Sequence, residues 1–371
     1  MRVRVRDPIR RAAPLIVALA AACAAPQGAE EPGPEAGRPV GWRVGVEEHI
    51  ALWYHGCAYV RDRDAAAEDA VVPRFAPAYV DSIVRVKRRL GVYPTALDTL
   101  PEALRRELAT EAYDGMEFLP LYFRDAAALF SAVEAWEAAG GNPRRAGSAE
   151  AARVIGFLSS LFPRARQRET VVAFTNALRA ERDAFYAAYW QERLPALRSR
   201  IAGVQREWDA LAPALRAYLD YAQLEDGELF LVPALGVEGR FVSRGLPVPR
   251  AAVLEPPAAR PGDAVLVFVH EATYPIAGEA VRDYVAPARI RELGEERLLA
   301  LAAVRAGEML LQDVAPARVD DYRRLYLSAV GRDPGEAEED GLEAAFREAF
   351  PLPDDLESGL RQTVDRALAG I

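Results

Sequence analysis

Apolar residues recur at helical spacing along most of the chain. From Pro77 to Leu90, the residues Tyr79, Ile83, Val86 and Leu90 fall on one stripe, and Gly91 follows as a stop. The same spacing predicts a helix from Arg124 to Ala138, burying Leu129, Val133 and Trp136 and stopping at Gly140-Gly141. Further helices are read at Glu47–Val60, at Ala149–Leu161 and through an aromatic stretch with Phe174, Leu178, Phe185 and Tyr189 in register. The helical pattern runs on from Leu194 to Tyr221, where Pro195 and Pro213 are expected to break or kink it. Near Glu225 the pattern changes. Leu229–Val232 and Arg240–Ser243 are short β-prone runs separated by Gly236 and Gly239, which reads as a hairpin. Trp42–Val46 reads as an edge strand, and Val265–Val269 as a strand running straight into His270-Glu271. Helices are then expected from His270, and at Ile290–Leu311, Asp320–Val330, Leu342–Phe350 and Leu356–Leu368. The class is α+β, mostly helical, with a small sheet beside the helix that begins at His270. No internal repeat of fixed period is present.

The first residues follow a different logic. Arg2, Arg4, Arg6, Arg10 and Arg11 precede an apolar run, Ala12–Ala22, that is short for a bilayer span. Cys23 comes next, then a loose tract rich in Pro, Gly, Ala and Glu. This arrangement resembles a bacterial lipoprotein signal, which implies removal of residues 1–22, lipidation of Cys23 and an exported, membrane-anchored protein of the cell envelope. Residues 23–41 then form a disordered tether. Residues 42–225 make a helical N-terminal region, and 226–371 carry the sheet and the later helices.

At 371 residues the chain can bury one large core or two modest ones. Its formal charge of −9 argues against nucleic acid as a partner; residues 1–22 carry a net +4, so the remainder is more acidic still, at −13. Lys87 is the only lysine, every other strongly basic residue being arginine. With Cys23 and Cys57 the only cysteines, there is no disulfide framework, and Cys57 reads as a small core residue. A Gly-rich phosphate loop, a CxxC pair and a GxSxG elbow are all missing from the sequence.

The chemistry concentrates at His270-Glu271-Ala272-Thr273-Tyr274. In an HExxH helix, two histidines four apart share a face and grip one Zn2+ while the glutamate activates a metal-bound water. Here the second histidine is Tyr274. His270, Tyr274, Ala277, Val281 and Tyr284 lie on one face, and Pro275 is tolerable only within the first turn. On the Ile290–Leu311 helix, Glu308 interrupts an apolar stripe of Leu301, Val304 and Leu311. A carboxylate there needs a metal or a salt bridge, for instance to Arg305. His49 and His55 are six apart on one helix and point to different faces; they read as surface or interhelical hydrogen-bonding residues.

Together, the run from Val265 to Tyr274, the RAGEMLL segment containing Glu308 and the YRRLYL segment from Tyr322 to Leu327 resemble exported bacterial zincin-like proteins of the gluzincin type. The resemblance implies a zincin-like fold, with His270 and Glu308 as zinc ligands, Glu271 as general base and Tyr274 in a degenerate ligand position. Ala280 stands where the longer metzincin pattern has its third histidine. The expected function is therefore that of an envelope lipoprotein with an impaired zinc site, retained for binding a peptide or protein ligand or for structure. Its rivals are an active zinc peptidase using His270, Glu271 and Glu308, and a helical envelope scaffold in which the His-Glu pair is coincidental.

Overall fold

The computed structural model describes residues 41–61, 71–332 and 339–370. Cys23, the signal segment and all but the last residue of the tether lie outside them. The chain starts with β1 (Trp42–Gly45), α1 (Glu48–Arg61), α2 (Tyr79–Leu90) and α3 (Glu102–Leu108). A 3-10 stretch at Glu111–Tyr122 leads to α4 (Ala126–Ala138), α5 (Ala149–Leu161) and α6 (Ala165–Glu181). A π-helical turn, Arg182–Tyr186, joins α6 to α7 (Ala187–Ala222). Then follow β2 (Gly227–Val232), β3 (Arg240–Val242), β4 (Arg250–Leu254), α8 (Gly262–Tyr284), α9 (Pro287–Leu293) and α10 (Glu295–Val314). The described chain closes with α11 (Val319–Ala329), α12 (Glu339–Ala349) and α13 (Asp354–Ala369). The fold is α+β and mostly helical, as the patterning predicts.

One four-stranded sheet organises it, in the order β1-β2-β4-β3. β1 and β4 both run parallel to β2, with Trp42 opposite Gly227 and Phe230 opposite Ala252, and β3 lies antiparallel to β4. The edge strand expected at Trp42 thus pairs with a strand some 180 residues later, and the N-terminal and C-terminal regions share one sheet. Successive side chains of a strand point to opposite faces. Leu229, Leu231, Ala251 and Val253 enter a core built with α7, α8, α10, α11, α12 and α13. Phe230, Val232 and Ala252 enter a second core with α1, α2 and α4 to α6. Burial on both faces explains why β2 and β4 read as unbroken apolar runs.

Four expectations need correction. First, Val265–Val269 is not a strand: α8 starts at Gly262, and Val265–Val269 close its first turn and make its second. Every residue from Asp263 to Thr273 is buried, because α8 packs between the sheet and α10 and is also crossed by α13. A helix wrapped on all sides loses the polar stripe that would mark its period, so its apolar run looks like a buried strand. Pro275 consequently lies deep in the helix rather than in its first turn, and it withdraws the N–H that would meet the Glu271 carbonyl. Its own ring is exposed, so the break falls on the outer side.

Second, β2 and β3 do not form a hairpin, since β4 is inserted between them and β3 pairs with β4. Third, the expected Ile290–Leu311 helix is two, α9 and α10, separated by Gly294 at φ +85°. Fourth, Pro195 and Pro213 do not end the helix as a break would, and α7 runs through both. The carbonyls they leave without a partner, on Gln191 and Asp209, belong to exposed residues where water can bond them.

Candidate functional site around His270

His270 is fully buried on α8. Its Nδ1 lies 3.1 Å from Glu271 Oε1, and its Nε2 has no hydrogen-bond partner among the described residues. The imidazole is held between two phenol rings, with centroids 5.2 Å from Tyr274, edge to face, and 5.3 Å from Tyr326. Tyr326 is fixed in turn by donating to the Val237 carbonyl at 3.1 Å. So the shared face of His270 and Tyr274 is present, and the two rings pack on each other.

Glu271 Oε1 also accepts the Gly239 backbone N–H at 2.8 Å. That contact depends on glycine: a Cβ at position 239 would stand 2.6 Å from the Ala252 carbonyl oxygen and 2.9 Å from Glu271 Cγ. The carboxylate therefore pins α8 to the loop before β3. It also borders a buried charge network that sequence reasoning missed. Arg240 bonds Glu117 through Nε at 2.7 Å and through Nη2, and bonds Glu238 at 2.8 Å. Arg61 reaches Glu117 at 3.0 Å, and Arg74 bridges Glu117 and Glu238 at 3.2 and 3.3 Å. Burial alone would raise the Glu117 carboxyl, but Arg240, Arg74 and Arg61 outweigh it and hold it at about 2. The sequence carries a signal for this network, since Glu117 is a lone charge inside the apolar run Met116–Tyr122.

Glu308 is buried on α10, where both of its oxygens are in ion pairs. Oε2 meets Arg305 Nε at 3.1 Å, and Oε1 meets Arg323 Nε from α11 at 2.7 Å. Arg305 continues to Glu357 and to the Phe350 carbonyl, and Arg323 to Glu343 at 2.9 Å. Glu308 is thus the hub of a clamp that ties α10 to α11, α12 and α13. The salt-bridge reading of this carboxylate describes its surroundings.

These residues do not fit zinc. His270 offers one free nitrogen, while Glu271 Oε1 and both oxygens of Glu308 are engaged. Burial, followed by the charges of Glu238 and Glu271, drives the Tyr274 phenol well above its ordinary range, so a phenolate ligand is disfavoured at neutral pH. Among the described residues, no group of three His, Cys, Asp or Glu side chains is placed to hold a metal ion.

A second buried cluster lies across the sheet. His55 Nδ1 is 3.0 Å from the Tyr79 hydroxyl and its Nε2 is 3.2 Å from Glu181 Oε1, so it is an interhelical histidine, linking α1 to α2 and α6. Lys87, also fully buried, pairs with Glu181 at 2.7 Å and Asp98 at 3.0 Å, donates to the Thr95 hydroxyl at 2.8 Å, and sits 4.4 Å from the Tyr59 ring centroid. Burial would raise Glu181, yet its contacts with His55 and Lys87 hold it at about 2. His49 is buried too, 2.9 Å from the Phe123 carbonyl. Cys57 is a buried free thiol, as a core residue should be. No helix among the described residues is long and apolar enough to cross a membrane.

Comparison with known proteins adds no relative: no family model, no curated protein and no solved structure matches this chain.

Proposed function

We propose that this chain is a non-hydrolytic lipoprotein of the bacterial cell envelope, in which a gluzincin-type site has become a packing element retained for structure or ligand binding. The observation that carries the reading is the double arginine clamp on Glu308, which occupies the carboxylate a gluzincin would give to its metal. The rest of the site supports it. Glu271, the general base of such a peptidase, here ties α8 to the Gly239 backbone, and Tyr274 packs against His270 as a neutral phenol.

Zinc titration of the purified chain by calorimetry, with a peptidase assay alongside, tests this. The expected result is weak zinc binding and no chelator-sensitive hydrolysis. Tyr274→His restores the i, i+4 pair and should raise zinc affinity measurably without producing turnover, because Glu308 stays clamped. Stoichiometric zinc on the unmodified chain, with hydrolysis abolished by Glu271→Ala, would overturn the proposal. One observation favours that active reading, namely the unpartnered His270 Nε2. Anchoring is tested separately: mass spectrometry of native membranes should find a lipidated Cys23 terminus and no peptide from residues 1–22.

A further inference from the structure

An open cleft of about 390 Å³ lies beside Pro233 and Glu255, away from the residues of the Glu308 clamp. Its walls are Pro77 in the loop entering α2 and Tyr79 at the start of that helix, the α7 residues Tyr189 and Arg193, and Pro233 and Glu255, which immediately follow β2 and β4. β2 and β4 are parallel neighbours, so the cleft lies just outside the carboxyl ends of the two central strands. Crevices in that position are where open sheets with helical cover place small ligands, and the volume is within the ordinary range of about 300–1,000 Å³ for such sites.

The walls are held in place. Tyr79 is anchored from behind by the bond between its hydroxyl and His55, and that imidazole is fixed by Glu181. The loop carrying Ala76 is pinned by the Ala76 N–H, which donates to the Ala234 carbonyl at 3.0 Å. Tyr189 stacks on Phe185 with centroids 5.2 Å apart. Rigid aromatic and proline walls favour a flat apolar group.

The polar end has a definite sign. Arg193 reaches Glu255 Oε2 at 2.5 Å, and Arg200 reaches Oε1 of the same carboxylate at 2.9 Å. Within this ion cluster two guanidiniums face one carboxylate, an excess of one positive charge, with Glu192 the further carboxylate acting on Tyr189. The Arg193 Nε donor is out of solvent and has no hydrogen-bond partner among the described residues. The Arg193 charge also acts on the phenols of Tyr79, Tyr186 and Tyr189, which places it against the aromatic wall.

We propose that this cleft binds a small monocarboxylate with a flat apolar ring, the ring between Tyr79 and Tyr189 and the carboxylate on Arg193. One surplus charge suits a monoanion better than a dianion, and guanidinium geometry matches a carboxylate. The site shares no residue with the His270 face, so it stands independently of the non-hydrolytic reading.

Titration of the full chain with benzoate, benzylamine and inorganic phosphate, followed by calorimetry and NMR, tests the assignment. Benzoate should bind saturably, and neither benzylamine nor phosphate should match it. Arg193→Gln should weaken benzoate by about tenfold or more. Because that change leaves Glu255 short of a partner, the paired variant Arg193→Gln with Glu255→Gln, confirmed folded by thermal melting, should lose affinity by a similar factor. Tyr189→Ala should also weaken binding, whereas Tyr189→Phe should keep it. Failure of benzoate to bind overturns the proposal. So does unchanged affinity in the folded paired variant, equal binding of benzylamine, or phosphate binding in place of benzoate.

Discussion

The Lys87 cluster and the Glu308 clamp lie on opposite sides of one sheet, and both bury full charges, but they are built in opposite senses. In the first, a single ammonium group serves Glu181 and Asp98, and among the described residues no guanidinium shares the work. In the second, a single carboxylate serves Arg305 and Arg323, and each arginine holds a further acidic partner, Glu357 or Glu343. Equal burial therefore hides unequal redundancy. Removing the centre of the first leaves two buried carboxylates without a permanent cation, held by His55 and Thr95 alone among the described residues. Removing the centre of the second leaves two arginines that still have somewhere to go.

The largest expected effect follows directly. Lys87→Met should destabilise the protein by about 3–5 kcal/mol, the usual consequence of stripping one partner from a buried charge group, as read by urea unfolding. A loss below about 1 kcal/mol would mean that the cluster accepts a neutral centre, and the contrast would collapse.

Acid should come next. Glu181 is held at about 2 against an ordinary value of 4.5, so the unfolded chain takes up its proton first. That stabilisation is complete above the ordinary value and is lost as the pH falls from about 4.5 toward 2, on the order of 2–3 kcal/mol. Burial lowers His55, so it too binds a proton more readily once unfolded, and its contribution starts to decline below about 6.5. Both slopes have the same sign. Equilibrium unfolding across this range should show stability falling throughout, and a flat profile would contradict the assignment of both groups.

Glu308→Gln should cost less, about 1–2 kcal/mol, because Arg305 and Arg323 keep Glu357 and Glu343. A loss equal to that of Lys87→Met would show that the outer carboxylates are poor substitutes. The smallest effect belongs to His270→Leu, at about 1 kcal/mol or less: Glu271 keeps its bond to Gly239, and Nε2 gives up no partner. A loss near that of Lys87→Met would reveal an interaction at Nε2 and reopen the metal reading.

Much of the fold was legible in the sequence, for reasons that are local. α5 occupies the Ala149–Leu161 span that the apolar spacing marks out, and Ser148 caps it by accepting the Ala151 N–H. Gly91 ends α2 in the left-handed conformation, as a C-terminal glycine should. What sequence could not show was set by distant packing. The Val265–Val269 run becomes helix because three layers enclose it, and the hairpin reading failed because the alanine-rich β4 inserts beside β2. At the site, the common face of His270 and Tyr274 was readable from four-residue spacing. For Glu308 the pairing with Arg305 was readable at three-residue spacing, but Arg323 was not, since it reaches the carboxylate from another helix. Lys87 was visible as a compositional oddity, but its partners Glu181 and Asp98 are far off in sequence or on a different segment.

The burial of the chain's single lysine has a practical side. Reagents that acylate or alkylate lysine side chains find no target on the folded surface, because the only such amine is enclosed by Glu181, Asp98 and the rings of Tyr59 and Phe185. Lysine-directed cross-linkers and dyes will find no side-chain amine on the folded surface. Modification at Lys87 then works as a clock for the opening of the α1, α2 and α6 layer, with a single reactive atom reporting one event.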